Sequence, residues 1–227
     1  MIHQIYWDFS GGDKQYSDIP DFKYNVDETK LFCKDHNLEH KLWDLKDCTK
    51  LIEEDFPEYL ELWNNFRFPI QQCDFIRYCI LFKYGGLYLD CDIRPMKNLE
   101  DVFSSDQYFV YWTDDKDKKA YTAVMGSKKG NKLFMNIIIE SKRSFDEKSK
   151  IEIYKEWKGR FIYQTTGHHM LERAIKKNKI NKNKYFHDVL FVINENKKYK
   201  DKSHFVGDSN TALFYDNNAS IWYDNLI

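Results

Sequence analysis

The chain has 227 residues, 42% of them hydrophobic and 17% aromatic, with only 9 Gly and 4 Pro. Such a composition can bury a core and excludes wholesale disorder, a collagen-like repeat and a disulfide-stapled miniprotein. Lys+Arg (35) nearly balances Asp+Glu (36), so no bulk basicity points to nucleic acid.

Ile2 to Phe9 reads as a strand, closed by Ser10-Gly11-Gly12-Asp13. The opening Met1-Ile2-His3-Gln4 has no basic n-region or apolar h-region, so no secretory signal is expected. Helical spacing covers residues 26–36, and His40 to Leu45 reads as a second short strand. Residues 48–66 are amphipathic and helical, with Pro57 interrupting the run. From Pro69 to Tyr84 the chain is apolar nearly all round, as in a buried helix, and Gly85-Gly86 supplies the stop. Leu87 to Ile93 then reads as a strand ended by Arg94-Pro95. Strands follow at 107–113 and 121–126, helices at 131–143 and 168–177, late strands at 186–193 and 211–215, and Lys-rich loops at 176–184 and 195–203.

Strands alternating with helices, without a repeat or a long linker, predict one α/β domain with a parallel sheet. The most apolar run, Phe75 to Leu89, carries Arg77, Lys83 and Gly85-Gly86 and is too polar to cross a bilayer. Five scattered cysteines without a CxxC pair fit a reducing compartment, and the expected location is cytoplasmic. Charge is uneven along the chain: residues 128–203 hold 20 Lys/Arg against 9 Asp/Glu. That basic stretch is either a solvated surface or a docking face for an anionic partner.

The chemistry concentrates at the end of the 87–93 strand. Alternation places Tyr88, Asp90 and Asp92 on one face and Leu87, Leu89 and Cys91 on the other. Two carboxylates so close need a cation, and a hard divalent ion with oxygen ligands, Mn²⁺ or Mg²⁺, suits them. An isolated Asp-x-Asp would ordinarily just begin a polar loop. Here Asp74 and Arg77 share one face of the preceding apolar helix, either as a structural ion pair or as a pair reaching the same pocket.

The array Asp74-x-x-Arg77-Tyr78, then Leu81-x-x-Tyr84-Gly85-Gly86-x-Tyr88-x-Asp90-x-Asp92, resembles the DXD sugar-binding region of glycosyltransferase family 32. Its spacing is shared by the large clostridial glucosylating toxins. Ile2-His3-Gln4-Ile5-Tyr6-Trp7, Leu42-Trp43-Asp44, Ala123-Val124-Met125-Gly126-Ser127, Thr165-Thr166-Gly167 and Ser220-x-Trp222 are similar to other segments of that family. The resemblance implies a GT-A-type nucleotide-diphospho-sugar transferase fold, a single domain with a mixed, mainly parallel central sheet and helical additions. Residues 1–100 would form the nucleotide-sugar-binding half, and 101–227 the acceptor half with a C-terminal metal and diphosphate segment. The implied activity is metal-dependent, retaining transfer of a hexose from a nucleotide sugar to a glycan, lipid-linked sugar or protein acceptor.

Position by position, the resemblance implies that Asp92 is the direct metal ligand. Asp90 would contact the donor's ribose and sugar hydroxyls with Tyr88 beside it, and Asp74 and Arg77 would hold the transferred sugar. Asn217, Ser220 and Trp222 would complete the metal shell and bind the diphosphate. The chain departs from the family in three places. Tyr6 stands where a base-stacking Trp is expected, with Trp7 displaced to the opposite face. Asn217 replaces a Glu or His, and His168 replaces a proline after the TTG turn. The adjacent His168-His169 pair reads as a partly buried helix start rather than a metal site. The intact toxin-like spacing and Tyr6 favour a UDP-sugar, with GDP-mannose as the alternative, and any membrane contact would be peripheral. Two other readings stand beside the transferase: a nucleotide- or glycan-binding module without turnover, and a haloacid-dehalogenase-type phosphatase. The second would want Thr or Val where Arg94 stands.

Overall fold

A computed structural model describes residues 1–97, 99–111, 120–152, 157–187 and 214–216. Strand β1 (Ile2–Ile5) lies between β2 (His40–Trp43) and β3 (Gly86–Leu89) and runs parallel to both. β4 (Ile93–Pro95) leaves that sheet and pairs antiparallel with β8 (Phe214–Asp216). β5 (Gln107–Tyr111) and β6 (Ala120–Ser127) are antiparallel to one another, β6 is antiparallel to β3, and β7 (Phe186–His187) closes the edge parallel to β5. The resulting order, β2-β1-β3-β6-β5-β7, is a mixed α/β sheet. Its β2-β1-β3 half is parallel throughout, as the alternation of strands and helices predicts.

Helices α1 (Pro20–Asp35), α2 (Leu45–Asp55), α3 (Leu60–Asn65) and α4 (Pro69–Tyr84) fill the first half, and the 3₁₀ turn Pro57–Tyr59 sits where Pro57 interrupts the run. After α5 (Glu100–Ser104), the second half carries α6 (Lys132–Lys148), α7 (Lys158–Thr165), α8 (His168–Lys177) and the short α9 (Lys182–Tyr185). The core follows from α4. Its Phe75, Ile76, Tyr78, Cys79, Ile80 and Leu81 are fully buried, so a helix without a polar face packs on every side.

Several boundaries differ from the sequence reading. β1 stops at Ile5 instead of Phe9, because the Asp8 carboxylate accepts from the backbone and hydroxyl of Ser10 and folds the chain into a turn. α1 starts at Pro20, well before residue 26, since proline's fixed φ suits a helix's first turn. α6 continues to Lys148, where Lys142–Asp146 and Arg143–Glu147 ion pairs span its last turns. Within 176–184, Lys176 and Lys177 finish α8 and Lys182 begins α9. Residues 188–193, 195–203 and 211–213 lie outside the described residues.

The α4–β3 junction is the tightest point in the chain. Gly85 (φ 70°, ψ −161°) sits in a region open only to glycine, and Gly86 follows at φ 90°. A Cβ would lie 2.5 Å from the Lys129 nitrogen at Gly85 and 2.5 Å from the Met1 oxygen at Gly86. Gly86→Ala is therefore expected to cost at least about 2 kcal/mol, a left-handed penalty of about 1–2 kcal/mol plus a backbone clash. Urea denaturation checks it. An unchanged midpoint would contradict this packing.

His3 occupies the centre of the sheet, fully buried. The indole N–H of Trp43 donates to its Nδ1 (3.2 Å), which leaves Nε2–H to donate to the Gly85 carbonyl (2.9 Å). Burial pushes its pKa down to about 4, so the unfolded chain takes up a proton the folded chain refuses. Stability is thus present above the unfolded value near 6.5 and lost as pH falls from there toward 4. The loss is about 1.4 kcal/mol per pH unit from this group. Comparing urea midpoints of the wild type and His3→Gln from pH 7 to 5 isolates the contribution, and the variant should show the shallower slope.

Candidate active site

α4 turns back through Gly85 into β3, so the end at which β3 finishes is the end at which α4 begins. This brings Asp74 and Arg77 of α4, which form a buried ion pair with one another, beside Asp90. Arg77 Nη2 pairs with Asp74 Oδ1 at 2.8 Å, and Nη1 reaches Asp90 Oδ1 at 3.4 Å. The same guanidinium donates to the carbonyls of Thr122 (3.0 Å) and Cys73 (3.3 Å) and lies 4.8 Å over the Tyr88 ring. Tyr88 donates its hydroxyl to Asp90 Oδ1 at 2.5 Å. The result is a carboxylate–guanidinium–carboxylate row backed by an aromatic ring.

The row is graded in depth. The side chains of Asp74 and Arg77 are 7% and 3% exposed, whereas that of Asp90 is 35% exposed and gives the array its solvent-facing end. Burial pushes Asp74 up to about 6, against the opposing pull of Arg77 and of the Thr166 hydroxyl. Burial likewise opposes the Arg77 charge, but Tyr88, Asp90 and Asp74 together hold that guanidinium firmly protonated. Burial raises the Tyr88 phenol well above its ordinary value, so it serves as a donor.

Asp90-Cys91-Asp92 is a turn between β3 and β4, closed by the Ile93 N–H donating to the Asp90 carbonyl at 3.0 Å. The strand reading to Ile93 is corrected here: alternation ends at Leu89, so it does not place Asp92 on the face of Tyr88. Asp92 is half-buried on this turn. The turn is pinned from below. Gln4 Nε2 donates to the carbonyls of Asp90 and Ile93 (3.3 Å each), and the Cys91 thiol donates to the Ile5 carbonyl (3.2 Å). In the sequence Gln4 is visible only as part of a strand motif. The signal of its role is burial, because a fully buried polar side chain must find partners.

Thr166 is the second contributor that spacing alone does not find. Its hydroxyl donates to Asp74 Oδ2 at 3.0 Å, and its carbonyl accepts from the Tyr78 hydroxyl at 2.8 Å. Gln71 Nε2 bonds Thr165 Oγ1 at 2.8 Å, locking the α7–α8 turn onto α4. A Cβ on Gly167 would come within 3.1 Å of Tyr163 Cα and 3.5 Å of Asp74 Oδ2, so a side chain there would crowd α7 and touch the site. His168 and His169 begin α8 half-buried, as expected of a helix start, with the Gln164 amide 3.1 Å from His169 Nδ1.

Tyr6, just past β1, is half-buried, its ring edge-to-face with Tyr16 and Phe22, while Trp7 packs on Phe9 against the main core. Asn217, Ser220 and Trp222 lie outside the described residues; the last described residue before them, Asp216, pairs with Ile93 in the β4–β8 ladder. Among the described residues no group of three or more His, Cys, Asp or Glu could hold a metal. Asp90 and Asp92 nonetheless fit a hard divalent ion of the kind that takes one or two carboxylates and completes its shell with water and substrate phosphates.

The Asp74 value sets a pH dependence. As pH falls through about 6, Asp74 takes a proton and its ion pair with Arg77 is lost. Ligand affinity at this site should therefore fall on the acid side with a midpoint near 6. Thr166→Val removes a hydrogen bond that favours the carboxylate and should move that midpoint upward. Titrating affinity against pH in both proteins checks the direction, and a midpoint shared by both would contradict it.

Comparison with known proteins gives similarities that agree with one another. Residues 13–110 match the family described as the glycosyltransferase sugar-binding region containing DXD motif. The chain is 31% identical over 141 residues to the uncharacterized glycosyltransferase L373 of Acanthamoeba polyphaga mimivirus, covering 59% of this chain and 51% of that protein. It is 34% identical over 106 residues to mannosyl phosphorylinositol ceramide synthase SUR1 of Saccharomyces cerevisiae, covering 46% and 25%. A third relative, inositol phosphoceramide mannosyltransferase 3 of Schizosaccharomyces pombe, is 28% identical over 103 residues, covering 45% and 28%. The matched segments span about half or less of these relatives' lengths. A solved structure described as PaToxG glycosyltransferase aligns with a TM-score of 0.49 at 14% identity, covering 78% of this chain and 67% of that one.

Proposed function

We propose that this chain, whose residues 13–110 match the glycosyltransferase sugar-binding region containing DXD motif, is a glycosyltransferase that moves a hexose from a nucleotide-diphosphate sugar to a hydroxyl acceptor with retention of configuration. The observation that carries this is the Asp74–Arg77–Asp90 row, two carboxylates and a cation presenting fixed hydrogen-bonding groups at the end of β3. Sugar hydroxyls donate to carboxylates and accept from a guanidinium, so such a row can fix a hexose's orientation.

In this mechanism Asp90, at the exposed end, meets the donor first, while the buried Asp74 and Arg77 grip the transferred sugar. Asp92 and Asp90 would hold the divalent ion, which when bound supplies positive charge to the diphosphate leaving group. A protein nucleophile is poorly served here. Both Asp74 oxygens are engaged, one by Arg77 and one by Thr166, and Asp90 Oδ1 is held by Tyr88 and Arg77. Front-face attack, with the diphosphate taking the acceptor's proton, suits these residues better. A covalent glycosyl-enzyme trapped with a slow donor analogue would overturn that step.

The mannosyl names of the relatives favour GDP-mannose over the UDP-sugar suggested by motif spacing. The half-buried, edge-packed Tyr6 also makes a weaker stacking platform than an open ring. Incubation with GDP-mannose, UDP-glucose, UDP-galactose and UDP-GlcNAc in Mn²⁺, reading nucleotide release, tests the reading. GDP-mannose is expected to turn over fastest. Release of phosphate from p-nitrophenyl phosphate with no nucleotide-sugar turnover would favour a phosphatase instead.

A further inference from the structure

We propose that the rim beyond the N-terminal end of α4 is a docking surface for an anionic lipid bilayer. Trp157 is 54% exposed and Ile151 43% exposed, two large apolar side chains presented to solvent on the same connection between α6 and α7. Arg67 ties the two stretches together: its Nη2 donates to the Ser149 carbonyl at 2.9 Å, and its guanidinium lies 4.5 Å over the Phe161 ring. Phe161 sits one turn along from Trp157, bonding the Trp157 carbonyl at 3.0 Å, and the Arg160 guanidinium is 5.6 Å from the Trp157 ring. With Lys150 and Lys158 adjacent in sequence, this puts four cations near an exposed indole and an exposed isoleucine, and Glu152 is the one carboxylate among the described residues 149–152 and 157–160.

That chemistry fits a bilayer better than a soluble polyanion. Indole rings settle at the headgroup level of membranes, and neighbouring Lys and Arg are drawn to anionic headgroups. The position also bears on the site. α7 runs from this rim to Thr165, and the Thr166 that follows bonds Asp74; α4 begins at the rim and reaches Asp74 five residues later. The bilayer-facing patch thus borders the same end of the sheet as the Asp90 turn. On the transferase reading, from which only this consequence follows, the acceptor is presented at a membrane surface. The docking itself needs no turnover.

Sedimentation with sucrose-loaded vesicles tests it, using phosphatidylcholine alone and phosphatidylcholine mixed with phosphatidylserine. The protein should sediment with the mixed vesicles and not with phosphatidylcholine alone. Trp157→Ala, which removes the interfacial indole, and separately the Lys150→Glu/Arg160→Glu pair, which reverses two of the basic charges, should each weaken partitioning at least about tenfold. The control is Lys129→Glu/Lys132→Glu, an equal change of charge beside Gly85, at the other end of α4 about 24 Å away. It should bind as the wild type does, and so should Asp92→Asn, so a failed transferase assay and a failed docking assay are separable. Thermal melts establish that each variant is folded. Absence of wild-type sedimentation, an equal loss in the control pair, or undiminished binding by Trp157→Ala would each overturn the proposal.

Discussion

Replacing Arg77 with alanine is expected to cost the fold about 3–5 kcal/mol at neutral pH, the usual result of stranding a buried charge. Arg77 is the sole cation within pairing distance of Asp74 among the described residues, and it also donates to the Thr122 and Cys73 carbonyls. Its loss leaves a carboxylate, two carbonyls and the Tyr88 ring without their common partner. The sign with pH is specific. With Arg77 gone, Asp74 is raised further above its unfolded value, so it stays protonated in the folded chain to higher pH. The variant should then be least destabilised in acid and progressively worse as pH rises. Double substitution Arg77→Ala/Asp74→Ala should be less destabilised than Arg77→Ala alone, since no unpaired charge remains. Equal losses in the single and double variants, read by urea denaturation at pH 7, would show that the pair is not coupled.

Asp92→Asn is expected to lower transfer by at least about a hundredfold, the scale at which removing one electrostatic contributor to a leaving-group site is felt. Asparagine keeps the size of the side chain but gives up the anionic oxygen a hard cation needs. The half-buried turn leaves the main core untouched, so the melting temperature should stay within about 2–4 °C, equivalent to under roughly 1 kcal/mol at this size. Asp90→Asn should behave differently. It removes the acceptor of the Tyr88 hydroxyl and a partner of Arg77, so both donor affinity and turnover fall. Measuring nucleotide release against Mn²⁺ concentration separates the two. Raising metal should recover most of the Asp92→Asn deficit but only part of the Asp90→Asn deficit, because that variant also loses its contacts with Tyr88 and Arg77.

The legible parts of the fold are those written in contiguous residues. Pro69 through Tyr84 reads as a buried helix because no face of it is polar, and Gly85-Gly86 reads as the reversal because only glycine tolerates the backbone there. The Asp74–Arg77 spacing puts both side chains on one face, and the tight α4–β3 turn returns the chain to them. Where the pattern misleads, a local hydrogen bond overrides periodicity. Asp90 to Asp92 continue the strand's alternation in letters, yet the Asp90 carbonyl captures the Ile93 N–H and makes a turn. Phe9 likewise belongs to a segment that Asp8 bends by binding Ser10.

What spacing does not reveal are contacts across long stretches of chain. Thr166 meets Asp74 from 92 residues away, and Gln4 holds the Asp90 carbonyl from 86. Neither carries a local pattern that singles it out, because a threonine before glycine and a glutamine in a strand are ordinary. The resemblance marks Thr165-Thr166-Gly167 as a motif, and the structure shows what that motif does. Its Thr166 hydroxyl fixes the second oxygen of Asp74, the oxygen that Arg77 leaves free.

The transferase reading requires a nucleoside diphosphate and a divalent ion to meet at the Asp90–Asp92 turn. Crystals soaked with Mn²⁺ and GDP, or Mn²⁺ and UDP, probe this through the anomalous signal of manganese. A peak is expected within bonding distance of an Asp92 carboxylate oxygen, with diphosphate oxygens completing the metal's shell. Nucleotide bound elsewhere, or this turn empty at saturating ligand, would refute the reading.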